Sequence, residues 1–478
     1  MKPKFSLATL PTAAYLAIAA VLALLTVGVL LLMQNITQRQ TEARQDALHI
    51  VELTEDTVDP AVWGQNYPHE YDSYKRTVDI GRTRYGGSEA IQKAGDANPV
   101  WQELWKGYPF SVDFREERGH AYMLIDQRET ERVKQFKQPG ACLNCHASVV
   151  PAYYQKGVEA GVSKDDRDAA IQKGFEIMAS MPYSEATELV DHPVSCIDCH
   201  DPKNMQLRVT RPAFMTAIDA LAKSDYPLPM FPSIERWRAS GRQGAYTPNT
   251  MAERQEMRTF VCGQCHVEYY FKGKEKILTY PWQNGLKVEQ MEAYYAEVEW
   301  KDWVHADTGT PALKAQHPEF EMWTQGTHAA AGVACADCHM PYERVGAVKV
   351  SSHHVQSPIL AAGEACQVCH RGSSEDITRR VEVIQDRTRT AMSHAENAVL
   401  ALVNDLTKAK AAGASEDTLA RAQELHRQAQ WRLDYVSAEN SMGFHAPQES
   451  MRILGEAADL ARQGQIELMR ATGATARK

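Results

Sequence analysis

The chain has 478 residues, a formal charge of −9, and 44% hydrophobic against 24% charged residues. An acidic balance of this kind excludes a general nucleic-acid binder, which needs a basic face. The length allows two or three ordinary domains.

From Ala13 to Met33 the chain runs 21 residues without a charge, about 31 Å of helix and enough to cross a bilayer. Lys2 and Lys4 precede this run, placing the amino terminus in the cytoplasm and everything after Gln34 on the outer, periplasmic side; Arg39 and Arg44 weaken the contrast. A cleaved signal peptide is the alternative, against which stand the length of the run and the lack of a small-x-small cleavage pattern. Residues 1–33 are therefore expected to form a membrane anchor. Residues 34–59, polar and helical in character, read as a stalk.

From Pro60 onward Trp, Tyr and Pro become frequent, and five Cys-x-x-Cys-His segments follow. They are Cys142/Cys145/His146, Cys196/Cys199/His200, Cys262/Cys265/His266, Cys335/Cys338/His339 and Cys366/Cys369/His370, and they use all ten cysteines. In c-type haem attachment the two thiols add to the haem vinyl groups and the next histidine ligates the iron. Zinc sites or a disulfide framework would leave the recurrent histidine unexplained. Five covalent haems are thus expected between residues 60 and 372. The fold implied is mainly α, a multihaem cytochrome c with little sheet and long C-terminal helices, its macrocycles replacing much of a conventional core.

Past Gly372, Ile377, Val381, Ile384, Met392, Ala395, Val399, Leu402 and Leu406 recur at three- and four-residue steps, predicting a long amphipathic helix. Gly413 ends it, Ser415 with Glu416 and Asp417 starts a second, and Pro447 starts a third. Residues 373–478 can serve as a cap on the haem core or as a homodimer interface.

A haem that only passes electrons is commonly held by two imidazoles. Five such haems need five further histidines, whereas one open, catalytic haem reduces the need to four. The seventeen histidines, less the five in the motifs, leave twelve. Two of these, His394 and His426, fall on helices that read as surface and are expected to be solvated.

The segments Cys262-Gly-Gln-Cys265-His266-Val-Glu268-Tyr269-Tyr-Phe, Leu-Lys314-Ala-Gln316-His317-Pro-Glu, Arg118-Gly-His120-x-Tyr122, Arg128-Glu-Thr-x-Arg132 and His445-Ala-Pro447 resemble the pentahaem, ammonia-forming cytochrome c nitrite reductases. The likeness runs from about residue 60 to residue 460. It implies six-electron reduction of nitrite to ammonium, fed by a membrane-associated, quinol-linked donor, in a homodimer built through the C-terminal helices. It also implies His120 as second ligand of the third haem, His328 of the fifth, His353 of the second and His445 of the fourth. The first haem, on His146, is left open. His354 adjoins His353 and could serve instead.

Most of that family end the first motif in lysine; this chain has His146, as a minority do. By the same resemblance Arg132, Tyr269 and His317 surround the open haem, with Arg128 and Arg118 as alternatives for the arginine. A Ca²⁺ ion would take the Glu268 carboxylate, the Gln316 side-chain oxygen and the carbonyls of Tyr269 and Lys314, an all-oxygen set that suits this cation. A non-enzymatic electron carrier with five six-coordinate haems, and a hydroxylamine- or sulfite-reducing enzyme, remain as other readings.

Overall fold

The computed structural model describes residues 11–45, 49–87, 89, 98–346 and 348–475; the flanking Lys2 and Lys4 lie outside them. The helices of ten residues or more are α1 (Thr12–Gln45), α2 (Val150–Glu159), α3 (Arg167–Ser180), α4 (Pro212–Lys223), α5 (Arg254–Gly263), α6 (Val288–Glu297), α7 (Ser374–Ala411), α8 (Glu416–Ala438) and α9 (Pro447–Thr475). Sheet among the described residues amounts to three two-stranded antiparallel hairpins. These pair β1 (Tyr270–Lys272) with β2 (Ile277–Thr279), β3 (Trp303–Val304) with β4 (Pro311–Ala312), and β5 (Tyr342–Val345) with β6 (Val348–Ser351). The mainly helical expectation holds.

Helix α1 is long and apolar enough to span a membrane, and none of its apolar stretch is buried in the described chain. Where the chain enters the haem region it is held by Asn66, whose side-chain oxygen accepts from the backbone N–H of Ile50 (2.7 Å) and Val51 (3.0 Å). Leu53, Trp63 and Ile197 form a small apolar cluster there, with Val51 and Cys196 against it. Residues 50–66 thus lie beside the second Cys-x-x-Cys-His segment.

The C-terminal helices begin where the capping residues place them. Ser373 accepts from the Asp376 N–H ahead of α7, Ser415 from the Thr418 N–H ahead of α8, and Pro447 opens α9. Helix α8 is more than a cover, since every residue from Ala429 to Val436 is buried. Trp431 donates to the Val288 carbonyl of α6 at 3.1 Å, and Asp434 reaches the Lys314 loop described below. A helix buried on all faces is a core helix.

This corrects the expectation for His426. It lies on α8 with no exposed surface, its Nδ1 2.7 Å from Thr310 Oγ1 and its Nε2 2.8 Å from Gln430 Oε1. Amphipathic spacing suggested a solvated face, but tertiary packing covers it. The polypeptide also makes more core of its own than expected. One continuous apolar cluster runs from Trp101 through Phe214, Phe260 and Trp282 to Leu454 and Leu468.

Candidate haem ligands and active site

Each Cys-x-x-Cys-His segment closes a helical turn. The backbone N–H of His200, His266 and His370 donates to the carbonyl of the first cysteine in its motif at 2.9, 3.1 and 2.9 Å. The first motif runs from Cys142, the N-cap, through the short helix Leu143–His146, and the fourth forms the short helix Cys335–His339. Residues i, i+3 and i+4 share a helix face. Both thiols and the imidazole therefore point the same way, as attachment of one flat macrocycle requires.

The fifth motif lies nearer the surface than the other four. Cys369 is exposed, whereas the other nine cysteines are partly covered by the polypeptide. Its neighbours Val368 and His370 are exposed as well, Val368 at 75%. The reason is position. Only three residues separate Cys369 from Ser373, the cap of α7, and the Gln367 side chain spans that short link by donating to the Gly372 carbonyl at 2.9 Å. The turn is thus exposed over residues 367–370. Thioether formation needs the sulfur directed at the macrocycle and does not need the chain to enclose it, so Cys369 keeps its place as an attachment candidate at a surface site.

Four of the five motif histidines face a second imidazole. Ring centroids are 6.1 Å apart for His200 and His353, 6.4 Å for His266 and His120, 6.3 Å for His339 and His445, and 6.3 Å for His370 and His328. Two metal–imidazole bonds of about 2 Å, with the depth of a ring on either side, span such a gap, so these residues fit an iron between them. Several also present the required nitrogen. The Nδ1 atoms of His200, His339 and His353 lie 3.0, 3.0 and 2.8 Å from the carbonyls of Met205, Gln356 and Ser351. A Nδ1–H donated to a carbonyl leaves Nε2 as the ligating atom. The neighbouring His354 points elsewhere, with its Nε2 3.1 Å from the Asp79 carbonyl.

Two glycines make this placement possible. Gly119 has φ +105°, and a Cβ on it would lie 2.4 Å from the Thr77 carbonyl, immediately before His120. A Cβ on Gly326 would lie 2.0 Å from the carbonyl of His445, so the turn carrying His328 packs directly on the strand of chain carrying His445.

His146 differs. Its Nδ1 is 3.0 Å from the Met123 carbonyl, yet no histidine ring stands opposite it among the described residues. What gathers there is Arg132, Tyr269 and His317. The Arg132 guanidinium stacks 4.2 Å from the Phe110 ring centroid, and its Nε is buried without a partner. Desolvation lowers its pKa, against the opposing pull of Cys142, Tyr108 and Tyr269. Burial raises the Tyr269 phenol, with Cys142, Cys145 and Tyr108 adding to the effect and Arg132 opposing it. Desolvation lowers the His317 pKa to about 3, Glu117 opposing and His266, His146 and Lys314 reinforcing.

The other two arginines are fully engaged elsewhere. Arg118 forks onto Asp126 at 2.6 to 3.1 Å, and Arg128 donates to Thr187 and to the Val190 carbonyl at 2.7 to 2.9 Å.

Around Glu268 the proposed calcium ligands lie together. Its Oε2 accepts the Gln316 N–H at 2.6 Å and its Oε1 the Tyr295 hydroxyl at 2.8 Å. Gln316 Nε2 is 3.5 Å from the Lys314 carbonyl, and Tyr269 adjoins Glu268 in the chain. Burial pushes the Glu268 carboxyl well above its ordinary pKa, Asp302 up to about 7 and Glu321 up to about 8. Glu321 keeps one buried oxygen without a partner. The Glu268 carboxylate, the Gln316 side chain and the neighbouring carbonyls are oxygen donors of the kind Ca²⁺ takes, while Asp302 and Glu321 do not converge with Glu268 into a three-carboxylate metal cluster among the described residues.

Several residues at the site carry no local signal. Tyr108 joins Arg132 and Gln316. Asp434 holds the loop from the side of α8, binding Lys314 Nζ at 3.1 Å and the Ala315 N–H at 2.9 Å. Asp302 takes the Lys314 N–H at 2.9 Å. Arg211, wholly buried, donates to the carbonyls of Asn144 (2.5 Å) and Ala147 (2.9 Å) on either side of His146 and pairs with Asp198 of the second motif at 2.8 Å.

Comparison with known proteins agrees with this architecture. The cytochrome c552 family model matches residues 59–478. A cytochrome c-552 of Parabacteroides distasonis is 38% identical over 84% of this chain and 74% of its own length. The cytochrome c nitrite reductase subunit NrfA of Nitratidesulfovibrio vulgaris is 32% identical over 88% of this chain and 80% of its own. The solved cytochrome c nitrite reductase of Desulfovibrio desulfuricans, whose catalytic subunit NrfA has two calcium sites, superposes with a TM-score of 0.71 at 28% identity, covering 88% of each chain. The chain belongs to the cytochrome c552 family and shares the multihaem fold of NrfA, the cytochrome c nitrite reductase.

Proposed function

We propose that this protein reduces nitrite to ammonium at one open c-type haem, on the first motif, supplied by four haems held between paired imidazoles. The observation that carries the reading is the asymmetry among the motifs. Four histidines face a second ring at 6.1 to 6.4 Å, and the fifth, His146, faces a pocket edged by Arg132, Tyr269 and His317. On this reading His120, His328, His353 and His445 are the second ligands of the third, fifth, second and fourth haems.

Nitrite reduction consumes six electrons and eight protons, so electrons must be stored close by. The cysteine side chain at Cys145 meets that of Cys265, and Cys262 meets Cys335. Attachment points of the first, third and fourth haems therefore abut, which suits rapid relay. The bound haem supplies the iron that receives the substrate and delivers electrons to it. The remaining work falls to side chains. Arg132, whose Nε is buried without a partner, supplies fixed positive charge and a fork for the anion. Arg118 and Arg128 are committed to other partners and do not compete for that role. Burial keeps the resting His317 imidazole neutral, so it would relay protons arriving from solvent as N–O bonds break, and the Tyr269 hydroxyl donates a hydrogen bond to substrate oxygen. Glu268, Gln316 and the carbonyls of Tyr269 and Lys314 would hold Ca²⁺, fixing the loops that present Tyr269 and His317.

The same reading places α1 in the cytoplasmic membrane as an uncleaved anchor, residues 34–59 as a stalk, residues 60–372 on the periplasmic side as the pentahaem region, and residues 373–478 in a homodimer contact. A membrane-associated, quinol-linked donor would supply the electrons. The test is to reduce the purified protein, add nitrite and quantify ammonium. Stoichiometric ammonium supports the reading; unchanged nitrite returns the protein to the class of electron carriers.

A further inference from the structure

We propose that Glu439 is a positioning residue that sets the reduction potential of the fourth-motif haem, holding it lower than an imidazole bonded to a neutral carbonyl would allow. The inference rests on His445 being the second ligand of that haem.

The motif histidine His146 and the paired His200, His339 and His353 place Nδ1 on backbone carbonyls. His445 places it on a carboxylate, 2.6 Å from Glu439 Oε1. No other histidine paired across a haem gap has an acidic partner at Nδ1 among the described residues. Glu439 is 1% exposed, so neither bulk water nor salt screens the contact. The carboxylate is held still from both sides. Ser441 donates its backbone N–H to Oε1 at 3.1 Å and its hydroxyl to Oε2 at 2.7 Å, and that hydroxyl oxygen accepts the backbone N–H of His445 at 3.0 Å. Ser441 thus closes a turn in which acid and imidazole have one relative orientation.

An ionised acceptor makes a shorter and stronger hydrogen bond than a neutral one. At a metal-bound imidazole it draws the Nδ1 proton outward and raises ligand basicity. A more basic axial ligand favours ferric over ferrous iron, and hydrogen bonding behind an axial ligand is one of the means by which a protein sets haem potential. The neighbouring residue carries the arrangement toward the active site. Asn440 donates to Glu319 Oε1 at 2.6 Å, two residues beyond His317.

The test is a potentiometric titration of the holoenzyme, followed optically and by electron paramagnetic resonance. Glu439→Gln keeps size and an acceptor but removes the charge. It should move one haem to higher potential, leaving five haems bound and that haem low-spin. Ser441→Ala removes a donor competing for the carboxylate, so the same haem should move the opposite way. A merely structural role would disturb several haems or the spin state, with no reversal of sign. His445→Ala identifies the haem concerned by converting one low-spin centre. If it converts none, His445 is not a ligand and the underlying assignment fails. If it converts one but neither Glu439→Gln nor Ser441→Ala moves that centre, or both move it the same way, Glu439 does not set the potential and the inference alone is overturned.

Discussion

The first Cys-x-x-Cys-His segment and the other four are built from the same turn and end in the same residue, yet they have different surroundings. Behind the imidazole the first motif is like the second and fourth: His146, His200 and His339 all rest Nδ1 on a backbone carbonyl at 3.0 Å. Across the haem position they diverge. Other segments bring His120, His328, His353 and His445 to the other four, and Arg132, Tyr269 and His317 to the first. On the proposed reading the motif fixes attachment, and residues outside it fix whether a haem would store electrons or perform chemistry.

The frame shared by both kinds of site should be the most sensitive point. Arg211→Gln leaves Asp198 buried without its partner and frees the carbonyls on either side of His146. Loss of one member of a buried pair costs about 3–5 kcal/mol, so denaturant unfolding should show a markedly lower midpoint or reduced haem loading. At the open site alone, His317→Ala should depress kcat by a factor on the order of 10² or more, with a smaller change in KM, if it acts as the proton donor. Near-normal kcat in that variant would remove His317 from the chemistry. Arg132→Ala should act mainly on capture, raising KM strongly, because the substrate arrives as an anion and leaves as a cation. Tyr269→Phe keeps the ring and loses the hydroxyl, and should lose rate by a smaller factor. Glu268→Ala should lower activity with five haems still bound, and elemental analysis should show calcium lost in parallel. Undiminished turnover of calcium-free protein would separate the Glu268 cluster from the site. The smallest effect should follow deletion of residues 1–33 behind a cleavable secretion signal, which should release a soluble enzyme with unchanged kcat.

Much of this was legible in the sequence because it is local. Two thiols and an imidazole within five residues form one helical turn whatever surrounds them, and Ser373, Ser415 and Pro447 start their helices by satisfying nearby backbone donors or lacking one. How deeply each turn is set was not legible: Cys369 belongs to the same motif as the nine covered cysteines, and its exposure follows from the short link to α7. The second face of each haem was legible only through family resemblance, since His120 and His266 lie far apart in the chain with no pattern joining them. Tyr108, Asp302, Asp434 and Glu439 gave no signal, because each acts on a segment it meets only after folding. His426 shows the converse error. Its helix has polar residues at helical spacing, as a surface helix does, but α8 passes through the interior and pairs those groups with Thr310, Lys314 and Ala315.

The most direct test of the division between one open and four closed haems is to count coordination states. Magnetic circular dichroism and electron paramagnetic resonance of the oxidised, haem-loaded protein should show four low-spin, six-coordinate centres and one high-spin centre, and nitrite should perturb the high-spin centre alone. Five six-coordinate haems indifferent to nitrite would contradict the account.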